Sequence, residues 1–198
     1  MTSIKTMQAK MPKPDTAALA KQHFLIRDAV HSDFERIQAI YAHHELHSTA
    51  TFEEEPPSTE LMLSRWQAIL QDKLPYLVAV INEEVVGYAY ASIYRPRVAY
   101  RYTLEDSIYL SGRHTGKGLG SALLSALITR CEQGPWRQMI AVIAGHDKHQ
   151  SIGLHRSLGF VHAGTQAATG YKFQQWIDVI FMQRSLGQGS STAPDPGT

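Results

Sequence analysis

The stretch Leu104-Glu105-Asp106-Ser107-Ile108-Tyr109-Leu110-Ser111-Gly112-Arg113-His114-Thr115-Gly116-Lys117-Gly118-Leu119-Gly120 decides how the chain is to be read. Leu104–Leu110 alternates as a strand does, and from Leu119 to Cys131 apolar residues recur at helical spacing. Between them lies a glycine-rich turn. Glycines let backbone N–H groups converge on one concavity, and the start of a helix adds unpaired N–H groups and a positive dipole end. Arg113 and Lys117 add charge, so the turn reads as a pyrophosphate site. A Walker A loop requires G-x-x-x-x-G-K-S/T, a spacing absent here. A dinucleotide fingerprint requires G-x-G-x-x-G after the first strand, whereas this turn is G-x-G-x-G and lies past mid-chain. The competing reading is a plain glycine turn that caps a helix.

Outward from this stretch, the remaining elements follow. Phe24–Arg27 is a short strand. Ser32 opens S-D-F-E, a capping box with Glu35, and Phe34, Ile37, Ile40 and Tyr41 carry a first helix to about His44. Pro56-Pro57 breaks the chain, and Ser58 caps a second helix bearing Met62, Trp66, Ile69 and Leu70. Tyr76–Ile81 and Val85–Tyr94 form a hairpin around Asn82-Glu83-Glu84. Met139–Ile143 is a buried strand, Gln150–Leu158 a helix ended by Gly159, and Phe160–His162 and Phe173–Met182 complete the sheet. The order β-α-α-β-β-β-α-β-α-β-β predicts an α/β (α+β) domain with a mixed sheet. Residues 23–186 are the expected domain, 1–22 an extension, and the Gly/Ser/Pro-rich 187–198 a disordered tail.

Composition excludes several classes. The chain has 198 residues, 19 Lys+Arg against 18 Asp+Glu, and a net charge of +1, so no general attraction to nucleic acid is expected. Cys131 is the sole cysteine, which rules out an internal disulfide and a cysteine zinc finger and fits a cytoplasmic location. It falls near the end of an amphipathic helix and reads as a small buried residue. No apolar run of about 18 residues suggests a membrane span, and the N-terminus has no secretory h-region. His43, His44 and His47 cluster at a helix end without the carboxylate spacing of a zinc helix, so no metal is expected.

The R-x-x-G-x-G turn after a strand, followed by helix, strand and a helix ending Leu154-His155-Arg156-Ser157-Leu158-Gly159-Phe160, resembles the GNAT acyl-CoA N-acetyltransferases. Thr103–Leu110, Ala141–Ile143, Ser151–His155, Gly170–Asp178 and Thr49–Glu53 resemble its phosphinothricin/methionine sulfoximine acetyltransferase group. The resemblance spans nearly the whole body. It implies a central, mostly antiparallel mixed sheet flanked by helices, acetyl-CoA as acyl donor and a small-molecule amine as acceptor. It further implies a homodimer, with Tyr171, Lys172, Phe173 and Trp176 near the interface or in ordinary sheet packing. A protein N-terminus or another amine is the alternative acceptor, and an acyl-CoA-binding protein without catalysis is the alternative class. Arg95, Arg97 and Arg101 make a polyamine a poor fit, because its site should be acidic.

Site residues follow from the resemblance. The turn residues Arg113, Thr115, Gly116, Lys117, Gly118, Leu119, Gly120 and Ser121 would hold the cofactor with Ser151. Lys148 stands where relatives often carry Asn. Backbone N–H groups around Ile108, Tyr109 and Leu110 would face the thioester oxygen if the strand bulges there. Glu105 is the candidate general base, against the alternative of a solvent-facing strand Glu, and Asp106 on the opposite face is its control. His155 is either a general acid for the departing thiolate or a polar wall. A zwitterionic acceptor with an anionic side chain calls for guanidinium donors, which nominates Arg95, Arg97 and Arg101 with Tyr100 and Tyr102 beside them. Phe52 would wall the side-chain pocket.

Overall fold

Main-chain pairing assembles seven strands in the order β1-β2-β3-β4-β5-β7-β6 among the described residues, which are 23–145 and 149–194 of this computed structural model. The strands are β1 (Leu25–Asp28), β2 (Tyr76–Ile81), β3 (Glu84–Ile93), β4 (Thr103–Leu110), β5 (Gln138–Ala144), β6 (Val161–Lys172) and β7 (Gln175–Ser185). The helices are α1 (Phe34–His47), α2 (Thr59–Gln71), α3 (Leu119–Cys131) and α4 (His149–Ser157). Every pairing is antiparallel except β4 with β5. The element order and the mixed, mostly antiparallel sheet are those expected.

Period-two alternation gives the sheet two apolar faces. Leu77, Ala79, Ala91, Leu104, Met139 and Ala141 pack with Leu123, Leu124, Leu127 and Cys131 of α3. Tyr76, Val78, Val85 and Tyr88 pack on the other face with Phe34, Ile37 and Tyr41 of α1 and Met62 of α2. Cys131 is fully buried, and burial pushes its thiol up to about 12. That makes it a core residue rather than a nucleophile.

Local chemistry explains the element ends. Ser58 caps α2 by accepting from the Leu61 N–H at 3.3 Å. The β2–β3 turn is two residues, Asn82 and Glu83, both at positive φ, as a tight hairpin requires. Gly159 (φ +86°) closes α4, its N–H donating to Arg156 O and the Phe160 N–H to His155 O.

Three expectations are corrected. A 3-10 turn (His31–Asp33) precedes α1, and the Asp33 carboxylate holds it, accepting from Val30 N–H at 2.8 Å and from Arg27 at 2.6 and 2.8 Å. The expected Ser32–Glu35 box is therefore not the cap. The strands expected at 160–162 and 173–182 are one long hairpin, β6–β7, turning at Phe173-Gln174. Residues 187–194 take hydrogen-bonded turns, with Arg137 donating to Thr192 Oγ1 and Ala193 O at 3.1 Å each. Residues 1–22 and 195–198 lie outside the described residues. Among the described residues, no helix is long and apolar enough to cross a membrane.

Candidate active site

β4 and β5 pair in parallel only from Thr103↔Gln138 to Asp106↔Ala141, although β4 runs on to Leu110 and β5 to Ala144. Beyond Asp106 the two strands part in the middle of the sheet. A cavity of about 210 Å³ fills the gap. Glu105–Tyr109 and Ala141–Ala144 form its strand walls, Ser151 and His155 of α4 close one side, and Ala50, Thr51 and Phe52 close the other. The β3–β4 register is unbroken from Gly87↔Leu110 to Ile93↔Leu104, so β4 carries no bulge. Strand divergence, not the expected bulge, turns the edge of Ser107–Leu110 toward the cavity.

Two adjacent carboxylates on β4 take opposite faces, and their surroundings differ. Glu105 shares its face with Ser107 and Tyr109 and is half-buried. Burial, helped by the charge of Asp106 and offset by Arg95, pushes its carboxyl up to about 7. Asp106 is buried, and its Oδ2 lies 3.0 Å from His155 Nε2. The alternation expected for Asp106 holds, but it is no neutral control, because it is the partner of His155.

His155 is 2 % exposed. Its Nδ1 donates to the Ser151 carbonyl at 2.7 Å, which leaves Nε2 to face Asp106. Burial opposes the charged ring, but the hydrogen bond and charge of Asp106 outweigh it and raise the imidazole pKa. Both ring nitrogens are thus engaged within the protein. This geometry supports the polar-wall alternative, not a free acid.

The glycine turn sits beyond the end of β4. A 3-10 turn (Gly112–His114) leads into Thr115, whose Oγ1 donates to Gly112 O at 3.2 Å. Gly116 (φ +74°) and Gly118 (φ +80°) are left-handed, and open space lies where their Cβ atoms would be. No side chain caps the Leu119 end of α3, so its first N–H groups are open to an anion beside the exposed Arg113 and Lys117. A Cβ on Gly120 would meet Leu110 Cδ1 at 3.2 Å and Leu154 Cδ2 at 3.5 Å, so glycine lets α3 seat against both. Leu119 is buried in the core, and Ser121 is half-buried in the first turn of α3. Lys148 lies outside the described residues.

The remaining candidates are dispersed. Phe52, Ile108, Tyr109 and Ser151 line the cavity. Arg95, Arg97 and Arg101 do not. Arg95 is exposed with its guanidinium 5.0 Å from the Tyr94 ring centroid, and it acts on Glu105 through its charge. Arg101 stacks at 4.5 Å on Tyr102 and donates to Val98 O. Tyr100 lies against Tyr94 along a separate groove that Ile140 and Phe181 also line. His44, from the histidine cluster, bonds the Leu110 carbonyl at 2.8 Å and so fixes the end of β4. Among the described residues, no group of three or more His, Cys, Asp or Glu could hold a metal ion.

Comparison with known proteins is consistent over the whole body. Residues 26–181 match the family described as acetyltransferase (GNAT) domain. The chain is 48% identical over 177 residues to the phosphinothricin N-acetyltransferase of Alcaligenes faecalis, covering 89% of this chain and 90% of that one. It is 37% identical over 170 residues to the L-methionine sulfoximine/L-methionine sulfone acetyltransferase of Salmonella typhimurium, covering 86% and 98%. The crystal structure of a GNAT superfamily phosphinothricin acetyltransferase from Sinorhizobium meliloti in complex with AcCoA superposes with a TM-score of 0.85, at 48% identity, over 88% of this chain and 95% of that one.

Proposed function

From the chain's membership of the GNAT acetyltransferase family, we propose that it transfers acetyl from acetyl-CoA to the primary amine of a small amino acid with a tetrahedral, anionic or polar side chain, of the phosphinothricin and methionine sulfoximine kind. The observation that carries the reading is Glu105: a half-buried carboxyl at about 7, on the wall of a cavity opened by strand divergence.

Acetyl-CoA supplies an activated thioester. The residues present suit it: two left-handed glycines with open space above them, an uncapped helix start, and Arg113 and Lys117 for the pyrophosphate. Thr115, Ser121, Ser151 and Lys148 are the candidates for further polar contacts to the donor. The main-chain N–H groups of Ile108 and Leu110, which face the side β5 has left while Tyr109 between them pairs with β3, suit the thioester oxygen. Glu105 takes the proton that the acceptor's ammonium must lose before nitrogen attacks the carbonyl carbon. The C–N bond forms, the C–S bond breaks, and the remaining excess proton on nitrogen passes to the departing thiolate, leaving the amide and the coenzyme A thiol. His155 and Asp106 shape the wall without giving up a proton. Phe52 walls the acceptor side chain. None of the three arginines lines the cavity, but Arg95 acts on Glu105 through its charge, which makes it the candidate for the acceptor's anion ahead of Arg97 and Arg101, further along the loop beside Tyr100 and Tyr102.

The same reading takes the protein as a cytoplasmic homodimer, joined through the β6–β7 hairpin, where Tyr171, Phe173 and Trp176 are exposed. Lys172 is not part of that surface, since it is buried within its own chain. The test is thiol release from acetyl-CoA with a panel of phosphinothricin, methionine sulfoximine, methionine sulfone, ordinary amino acids and peptides. Turnover concentrated on the first three is expected. Acetyl-CoA binding without turnover on any amine overturns the enzymatic reading. A particle of twice 22.1 kDa in light scattering is expected for the dimer.

A further inference from the structure

The segment that closes the acceptor side of the cavity, Ala50–Phe52, belongs to no helix or strand. It is held from elsewhere. Lys172, the last residue of β6, is 4% exposed, and its Nζ donates to the Thr51 carbonyl at 2.8 Å. Tyr41 of α1 and Thr51 share a hydroxyl–hydroxyl hydrogen bond of 2.8 Å. Thr49 Oγ1 donates to Ala144 O at 3.4 Å. The Phe52 ring lies where a Cβ on Gly170 would be.

A lysine is an expensive anchor at such a position. Burial lowers its pKa, against the charges of Glu45, Glu54 and Glu53. Glu45 is 1% exposed, and neither of its oxygens has a hydrogen-bond partner. A buried carboxylate and a buried ammonium in mutual electrostatic reach, with the ammonium spent on a loop carbonyl, make a device that fixes the loop. A hydrophobic residue at 172 would fill the space but leave the Thr51 carbonyl without its donor.

We propose that Lys172 and Gly170 are positioning residues that hold Ala50–Phe52 in place, so that the β6–β7 hairpin sets acceptor recognition without touching the acetyl donor site. The inference rests on the acceptor reading given above for Phe52. Two measurements test it on the full chain. In Lys172→Met and in Gly170→Ala, KM for the amino-acid acceptor should rise about tenfold or more, while KM for acetyl-CoA stays within about twofold. Amide hydrogen exchange should quicken over 49–53 and stay unchanged in α3. Lys172→Arg should restore part of the acceptor KM. Lys172→Met combined with Glu45→Gln removes both charges and guards against a fold lost to an uncompensated carboxylate. Unchanged exchange over 49–53, or equal rises in both KM values, overturns the proposal. A wild-type protein that turns over no acceptor overturns the parent reading instead, and the exchange data then decide the positioning claim alone.

Discussion

Replacing Glu105 with Gln removes the titrating carboxyl at nearly constant volume, and a carboxyl at about 7 fixes how the effect must depend on pH. Such a group is about one-tenth ionised at pH 6 and about nine-tenths ionised at pH 8, and kcat/KM reports the ionisation of the free enzyme. Wild type draws on the ammonium form of the acceptor, which stays nearly constant below the amine's own pKa, so its kcat/KM should rise about tenfold between pH 6 and pH 8 and then level off. Glu105→Gln has no base and depends on the scarce neutral amine, whose share grows about tenfold per pH unit, so its kcat/KM should be far lower and should climb about a hundredfold over the same range without levelling. At the plateau a general base is worth about 10²–10⁴-fold, or about 2.7–5.4 kcal/mol. The assay is thiol release at subsaturating acceptor across that pH range. Stability gives a built-in check. A carboxyl whose folded pKa lies above its unfolded value costs stability once ionised, so the urea midpoint of Glu105→Gln at pH 8 should not fall below that of wild type. A wild-type profile with no inflection near pH 7, or one that runs parallel to that of Glu105→Gln, refutes the base assignment, as does a Gln variant that keeps full activity.

His155→Phe should cost about 3–5 kcal/mol in urea unfolding, because it strands the buried Asp106 carboxylate, whose Oδ1 already lacks a partner. Asp106→Asn should cost less, since Asn can donate to Nε2 of a neutral ring. The pH dependence has a definite sign: His155 has a raised folded pKa, so its contribution is complete below about 6.5 and is lost as pH rises through the folded value. The wild-type urea midpoint should fall over that interval, and the fall should be smaller in Asp106→Asn, where the ionisation of Glu105 still contributes. Gly118→Ala, at φ +80°, should cost about 1–2 kcal/mol and weaken acetyl-CoA binding in calorimetry, because the strain falls on the turn itself. Leu124→Ala, fully buried between α3 and the sheet, should cost about 2–5 kcal/mol with acetyl-CoA affinity preserved.

What was legible in the sequence was what local pattern controls. The bounds of α3 coincide with the apolar period from Leu119 to Cys131, and Ser58 and Gly159 end their helices as their chemistry dictates. β6 is not legible beyond its first residues because Val161–Lys172 is almost wholly exposed. Small and polar residues fill it, so it shows no apolar alternation, and only its pairing with β7 makes it a strand. In the candidate site, the turn and Glu105 were legible because each lies within one short segment. The Asp106–His155 pair was not. Its members are 49 residues apart in sequence, and their meeting depends on where α4 docks against the parted strands. The three arginines crowd one loop of the sequence, yet the fold leaves them outside the cavity, where Tyr94 and Tyr102 take up Arg95 and Arg101.

Val142 shows why the site lies where it does. It belongs to β5, a strand with neighbours on both sides, yet it is 38% exposed. β7 pairs with β5 along its full length, Val142 with Phe181 among the pairs, so the exposure arises on the β4 side. There the last pair is Asp106↔Ala141, one residue earlier. Glu105↔Ile140 pairing places Val142 two residues further along the same face as Glu105. A regular sheet would cover that position and would pair the main chain of Ser107 onward. The parted strands instead leave an apolar wall, an unpaired main-chain edge and a carboxyl at about 7 around one opening. On the reverse face, the neighbouring Asp106 meets His155, and its charge is absorbed within the protein. Two consecutive acids on one strand thereby come to differ through environment alone: one has a fixed partner, and the other is left to exchange a proton with whatever enters the opening.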